Sequence, residues 1–583
     1  MKKQINKIIN LVSIIEKKGA DFYLLSTSDE FLNEYVPEHN MRLKWLTNFS
    51  GSNGVALISR KKNFFFTDGR YILQAQKELK NKFDILDLSK INVVNFIKNN
   101  LKKKKILVDT RTFSKTFVLD LISVSKKLDV TIIHDKKNSV DLIWRDRPVS
   151  QNKPFFLLEK KFSGYSTLEK IKKIKKKISS STLIITSPES VCWLLNIRGY
   201  DLPNTPLVLS RLIIKNNNII FYLDLKKVPN DFKFKKKMIV KDINLFDKDI
   251  SKYSNEEVFV EREIPYFFFK TLSKKNKVKV VNDICDDLKS VKNTIEINNS
   301  RKAHLYDGIA LVKFFYWLEK NLDKNISEFE ASKKLELFRR ENKGFFSLSF
   351  PTISATGANG SIIHYNPKSK STILKKSQLY LCDSGAQYMG ATTDITRTIY
   401  LGDDQAASQK IKDIYTLVLL GHLNLSILKF PKGTKGFQID SIARFELWKR
   451  GFDYNHGTGH GVGSFLGVHE GPQSISKSPV NVALKPGMII SNEPGFYENK
   501  RYGIRIENLV LVKKSSLKNF YDFETLSLFP YEKHLINKNL LNVDQLNWIN
   551  NYHQLVFKKL SPYLENEHKT WLLSKTKKIF MNK

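Results

Sequence analysis

At 583 residues the chain is long enough for about four average domains, and one domain larger than average brings the expected count to three. Its formal charge of +39 would suit a nucleic-acid partner, but the lysines are spread along the chain among abundant Asn and Ile. No stacking-aromatic motif interrupts the basic runs, so nucleic acid is set aside as a partner. Three cysteines, Cys192, Cys285 and Cys382, exclude a disulfide framework, and no apolar run reaches the roughly 18 residues a spanning helix needs.

The N-terminus carries Lys2-Lys3 and a short apolar patch at 8–15, which Glu16-Lys17-Lys18 interrupts without a small-residue cleavage site. A soluble cytoplasmic protein with no membrane partner is expected. Residues 1–147 alternate helical patterns with strand patterns such as 54–59 and 63–67. Arg145-Asp146-Arg147-Pro148 and the polar stretch to Pro154 signal a boundary. Residues 148–290 begin with a basic helical run at 168–178, read as a solvated face, and continue with strand patterns at 182–186, 212–214 and 219–223. The third segment, 291–583, opens on an amphipathic helix near 295–318, and a second long helix covers 406–428 before Pro431-Lys432-Gly433 stops it.

The chemistry-bearing residues lie in this last segment. Asp383 follows the strand-like run Leu379-Tyr380-Leu381-Cys382, and the chain turns near Met389-Gly390 before a strand at 396–401, which brings Asp394 back towards Asp383. Glu493 follows Met488-Ile489-Ile490 just before Pro494-Gly495, and Glu507 lies in the alternating stretch 503–512. A lone acid in a strand is ordinarily an exposed face residue, and that reading does not cover four acids and a histidine in one pattern. His456 and His460 are four apart, but Gly457-Thr458-Gly459 between them argues for a loop instead of a zinc-binding helix, so only one of the two needs to be a ligand. Four carboxylates and one imidazole form a hard, oxygen-rich donor set that suits Mn²⁺ or a similar divalent ion. Two such ions roughly 3.5–4 Å apart can share a nucleophile and clamp both ends of a displacement.

The segments DSGAQYMGATTDITRT at 383–398, HGTGHGVGSFLGVHEGP at 456–472, SNEPGFY at 491–497 and GIRIENLVLV at 503–512 resemble the aminopeptidase P (Xaa-Pro aminopeptidase) branch of the pita-bread metallopeptidases. RLKWLTNFSGSNG at 42–54, FFTDGRYILQAQ at 65–76 and DFETLSLFPY at 522–531 extend the resemblance to the long, three-domain form. The resemblance implies an α/β (α+β) chain with two creatinase/prolidase-type domains, 1–147 and 148–290, before a pita-bread catalytic domain at 291–583. The two N-terminal domains would share one fold, although no residue-level repeat joins them.

The same resemblance implies two divalent metal ions per chain, Mn²⁺ expected, held by Asp383, Asp394, His460, Glu493 and Glu507. It places His364, His456 and His469 in the substrate pocket and Arg505 near the reacting centre, with Glu493 also passing a proton to the leaving group. The implied activity is removal of the N-terminal residue from peptides with proline at the second position. A homodimer is expected as well, consistent with the apolar interleaving of Phe529, Tyr531, Leu541, Trp548 and Tyr552. A prolidase limited to X-Pro dipeptides shares the ligands, and a methionine aminopeptidase shares their types without needing two preceding domains. An inactive peptidase fold used as a binding module is the alternative of a different class.

Overall fold

The strand patterns on either side of residue 147 form two sheets of the same design. In the first, β1 (Phe22–Ser26), β2 (Val55–Ile58), β3 (Phe64–Thr67), β4 (Asp84–Asp87), β5 (Lys105–Val108) and β6 (Thr131–His134) lie in the order β4-β3-β2-β1-β5-β6. The second comprises β7 (Thr182–Ile185), β8 (Ser210–Lys215), β9 (Asn218–Leu223), β10 (Met238–Asp242), β11 (Glu257–Glu261) and β12 (Lys277–Val281), ordered β10-β9-β8-β7-β11-β12. Each sheet has three antiparallel strands at its centre and parallel pairings toward both edges. What is repeated is therefore a pattern of apolar runs and crossovers, not residue identity. Side chains alternate across the first sheet, with Tyr23 and Leu25 in one core and Phe22 and Leu24 in another, as the two-residue strand period requires.

The structure is a computed structural model that describes residues 2–178, 181–216, 218–232, 238–282, 284–368, 372–402 and 407–580. The chain divides into two compact units, Met1–Leu158 with Tyr165–Cys285, and Glu159–Gly164 with Asp286–Lys583. Both six-stranded sheets belong to the first. Among the described residues no helix is long and apolar enough to cross a membrane, and all three cysteines are buried and outside any disulfide.

The first long helix of the second unit is α1 (Thr294–Asn321), whose start is fixed by a capping box: Asn293 accepts from the Glu296 N–H while Glu296 accepts from the Asn293 N–H. After α2 (Glu328–Arg340), strands β13 (Ile353–Thr356), β14 (Gln378–Ser384), β15 (Ala386–Tyr388), β16 (Ala391–Thr392) and β17 (Ile395–Leu401) follow, and β14 pairs with both β13 and β17. The second long helix, α3 (Gln409–Ser426), is capped by Ser408; the expected start at Ala406 lies outside the described residues. Strands β18 (Ile489–Asn492), β19 (Gly495–Glu498), β20 (Tyr502–Arg505), β21 (Asn508–Lys514) and β22 (Phe520–Thr525) complete the sheets, and α4 (Val543–Leu560) follows.

Two features differ from the sequence expectation. The stretch 503–512 is not one strand: it breaks at Ile506-Glu507, where the Ile506 N–H turns to Pro494 O and the Glu507 N–H turns to Thr396 O at 3.1 Å. Glu507 thus sits where the chain passes from one ladder to another, facing the hairpin that carries the aspartates. The apolar residues near the C-terminus do not form an outward face either. Phe529, Tyr531, Leu541 and Tyr552 are buried in the core that α1 and α3 also line, with Trp548 packed against it. Their burial removes the sequence argument for pairing through this segment.

Candidate metal centre

Antiparallel pairing of β14 with β17 sets Asp383 opposite Thr396, two residues beyond Asp394. Between the two aspartates the chain closes tightly at Gly385, where a Cβ would lie 2.0 Å from Thr393 O. Only glycine permits that approach. The Glu493 N–H, just past β18, donates to Thr458 O at 2.8 Å, which draws the histidine loop onto this strand. Gly459 makes the contact possible, since a Cβ there would meet Ser491 O at 1.9 Å. The next residue, His460, donates its N–H to Ser491 Oγ at 2.9 Å, and Ser491 Oγ donates to Glu493 Oε1.

These links bring the five candidate ligands together. His460 Nε2 lies 3.4 Å from Glu493 Oε1 and 3.6 Å from Asp394 Oδ2. One ligand-capable atom each of Asp394, His460 and Glu507 fall within 4.8 Å of one another. His460 Nδ1–H donates to Gly461 O at 3.0 Å, which leaves Nε2 as the lone-pair nitrogen facing the carboxylates. Asp383 Oδ1, Asp394 Oδ1 and Glu507 Oε1 are buried with no hydrogen-bond partner. Leaving three carboxylate oxygens in that state is costly unless a cation completes them.

The electrostatics agree. Burial, then the charges of Glu507, Asp383 and Glu493, pushes Asp394 well above the ordinary carboxylate range, and burial with Glu493 and Asp383 does the same to Glu507. Burial also raises Glu493 to about 7, although Arg505 pulls it the other way. One guanidinium faces four carboxyls, so the donor set fits divalent cations, which would supply the missing positive charge.

Arg505 organises one wall. Its Nη2 donates to Asp383 Oδ2 at 2.6 Å and its Nη1 to Tyr497 Oη at 2.6 Å, and its Nε reaches Thr396 Oγ1 at 3.3 Å. Thr396 Oγ1 in turn donates to Glu507 Oε2 at 2.7 Å. The Tyr497 hydroxyl donates to His456 Nε2 at 2.8 Å, while His456 Nδ1 lies 4.0 Å from Glu493 Oε2. The His469 ring meets that of His460 edge-on at 4.4 Å. His364 is half-buried and follows Ile363, whose carbonyl accepts from Arg505 Nη2 at 3.4 Å. Thr396, Ser491 and Tyr497 were not singled out from the sequence. Their only signal was membership of DITRT and SNEPGFY, and their roles depend on partners up to 111 residues away.

Duplicated sheets ahead of a carboxylate–histidine centre define a class, and comparison with known proteins identifies it. Residues 298–514 match metallopeptidase family M24, and residues 519–579 match the C-terminal region of peptidase M24. The creatinase/prolidase N-terminal domain is matched at 7–139 and again at 146–296. A "Probable Xaa-Pro aminopeptidase P" of Coprinopsis cinerea is 36% identical over 98% of this chain and 97% of its own length. The Xaa-Pro aminopeptidase 1 of Dictyostelium discoideum is 34% identical over 98% and 96%. The crystal structure of X-prolyl aminopeptidase from Caenorhabditis elegans, described as a cytosolic enzyme with a di-nuclear active site, superimposes with a TM-score of 0.94 at 30% identity, covering 99% of this chain and all of that one. The chain belongs to the Xaa-Pro aminopeptidases of the M24 metallopeptidase family.

Proposed function

We infer that the protein is a metal-dependent aminopeptidase that releases the N-terminal residue from peptides with proline at the second position. The observation that carries this reading is the gathering of Asp394, His460 and Glu507 within 4.8 Å of one another, together with buried, unpartnered oxygens on Asp383, Asp394 and Glu507. Asp383, Asp394, His460, Glu493 and Glu507 would hold two divalent ions, Mn²⁺ being the fit for so oxygen-rich a set. When bound, the ions supply Lewis acidity and a water-derived nucleophile at neutral pH.

The chain's own groups do the rest. An X-Pro bond is a tertiary amide without an N–H, so its nitrogen must receive a proton to leave as an amine. Glu493 would take a proton from the attacking water and deliver it to that nitrogen. His469 and His364 hydrogen-bond the oxygen on which charge develops, and Arg505 with Tyr497 holds Asp383 and His456 in register. Retention of all five ligands argues against an inactive binding module. Full-length similarity to Xaa-Pro aminopeptidases favours peptides longer than the dipeptides of a prolidase.

The proposal includes domain boundaries near residues 147 and 290, a cytoplasmic location and a homodimer. Light scattering should give about twice the 67.6 kDa chain mass, and a monomer at micromolar concentration would remove the dimer. The activity is tested with Mn²⁺-loaded protein on an X-Pro dipeptide, an X-Pro tripeptide and a Met-Ala peptide. Cleavage of the tripeptide between its first and second residues supports the reading, cleavage of the dipeptide alone points to a prolidase, and cleavage of only the Met-Ala peptide overturns both.

A further inference from the structure

Behind the candidate metal centre lies a buried polar network that the mechanism above does not use. Asn492 and Asn508 are register partners across β18 and β21, and each adjoins a candidate ligand: Glu493 follows the first and Glu507 precedes the second. Their side chains and carbonyls converge on His422 of α3. His422 Nδ1–H donates to Asn492 O at 3.0 Å, so its Nε2 is an acceptor, met by the Tyr531 hydroxyl at 2.9 Å and by Asn508 Nδ2 at 3.2 Å. Asn492 Nδ2 returns a bond to His422 O at 2.8 Å, and Asn508 Nδ2 also reaches Tyr531 Oη at 2.9 Å. Burial, aided by the charge of Arg397, pushes His422 down to about 3, so the ring stays neutral in this arrangement.

Arg397 closes the network from the other side. Its guanidinium donates to Glu507 O at 2.7 Å, Thr396 O at 2.9 Å and Asn508 Oδ1 at 2.8 Å. It also donates to Phe529 O at 2.5 Å, Pro530 O at 3.1 Å and the Tyr552 hydroxyl at 3.2 Å. A buried guanidinium has five N–H groups to satisfy, and here carbonyls, an amide and a hydroxyl satisfy them all. Half of these acceptors belong to the segment that matches a separate C-terminal region. One cation thus fastens that segment to the strand ends carrying the ligands.

We propose that Arg397, His422 and Tyr531 form a clamp that fixes the spacing of Glu493 and Glu507, making the C-terminal segment a working part of the metal centre. These three are positioning residues, and the proposal rests on the reading of Glu493 and Glu507 as metal ligands. Groups that orient ligands from behind typically contribute 10–100-fold in metal affinity, which separates this role from ordinary core packing.

The experiment is Mn²⁺ titration of the metal-free full chain by calorimetry, with electron paramagnetic resonance of the loaded protein, on Tyr531→Phe, Arg397→Lys, Leu546→Ala and Asp394→Ala. Leu546 is buried in α4, within the same C-terminal segment, but takes no part in the network, so Leu546→Ala should lower the melting temperature and leave Mn²⁺ affinity unchanged. Tyr531→Phe keeps the ring and removes only the hydroxyl, and it should weaken Mn²⁺ binding roughly 10–100-fold with an altered dinuclear spectrum. Arg397→Lys should do the same, and if it does not fold Tyr531→Phe decides alone. Wild-type affinity and spectrum in Tyr531→Phe, while Asp394→Ala loses metal, overturn the clamp but not the site. Retention of both ions by Asp394→Ala overturns the site reading and the clamp with it.

Discussion

Arg505 Nη2 donates to Asp383 Oδ2 across 2.6 Å, and both residues are nearly inaccessible, at 2% and 8% exposure. The guanidinium reaches Tyr497 and Thr396 at the same time, so its planar fork sets three groups at fixed angles. Lysine offers one point charge and cannot repeat this. Arg505→Lys should therefore keep the fold but lower Mn²⁺ affinity or kcat/KM by roughly 10–100-fold. Wild-type values for both in a folded variant would show that Asp383 needs no such support.

Removing the metal should reverse the usual pH dependence of carboxylates. Burial and neighbouring acids raise the folded-state values of Asp394, Glu507 and Glu493, the last from 4.5 to about 7. A carboxyl whose folded value is raised holds its proton in the folded protein after the unfolded chain has lost it. Its contribution is complete below about 4.5 and falls away as pH rises through about 7. Chelated protein should thus lose melting temperature between these values more steeply than chelated Glu493→Gln. Equal slopes would contradict the assignment. Loading Mn²⁺ must expel the same protons, so calorimetry in two buffers of different ionisation enthalpy should find more protons released at pH 6 than at pH 8.

The two edge-on histidines should separate by function. His460 presents its Nε2 to Asp394 and Glu493, whereas His469 touches the His460 ring and is the next residue before buried Glu470. His460→Ala should lose metal. His469→Ala should retain most of it and lose turnover by roughly 10²–10³-fold, the usual cost of removing one transition-state donor. Equal metal loss in the two variants would abolish the distinction, with circular dichroism confirming that both are folded.

Much of this candidate centre was legible in the sequence because its candidate ligands sit at strand ends and turns that local patterns mark: Asp383 after an apolar run, Glu493 before Pro494-Gly495, His460 among glycines. The supporting groups were not. Thr396 matters through Glu507, 111 residues on, and Arg397 through carbonyls more than 100 residues away, pairings that no local period encodes. The break at Ile506-Glu507 was hidden for a related reason, since alternation continues through it while the hydrogen bonds change partners. Apolar spacing near the C-terminus showed that Phe529, Tyr531 and Tyr552 would be buried, but burial inside one chain and burial between two chains have the same pattern.

A buried ion cluster beside His469 offers a test of stability. Glu470 is fully buried, with Lys292 Nζ 2.6 Å from one oxygen and Lys289 Nζ 3.3 Å from the other. Burial alone would raise Glu470, but the two ammonium groups outweigh it and hold the carboxyl below its ordinary value. A depressed folded value gives stability that is present above the unfolded value and lost as pH falls through the folded one. Lys292→Met removes the closer partner and leaves Lys289 shared between Glu470 and Asp286, so that one negative charge is stranded, for which the expected cost is about 3–5 kcal/mol, read from urea unfolding at pH 7. Glu470→Gln in the same background should recover part of that loss, because it removes the stranded charge. Acidification should destabilise Lys292→Met less than the wild-type protein, since less of its stability depends on an ionised Glu470. A cost under about 1 kcal/mol, the range of a surface pair, would mean that water reaches this cluster.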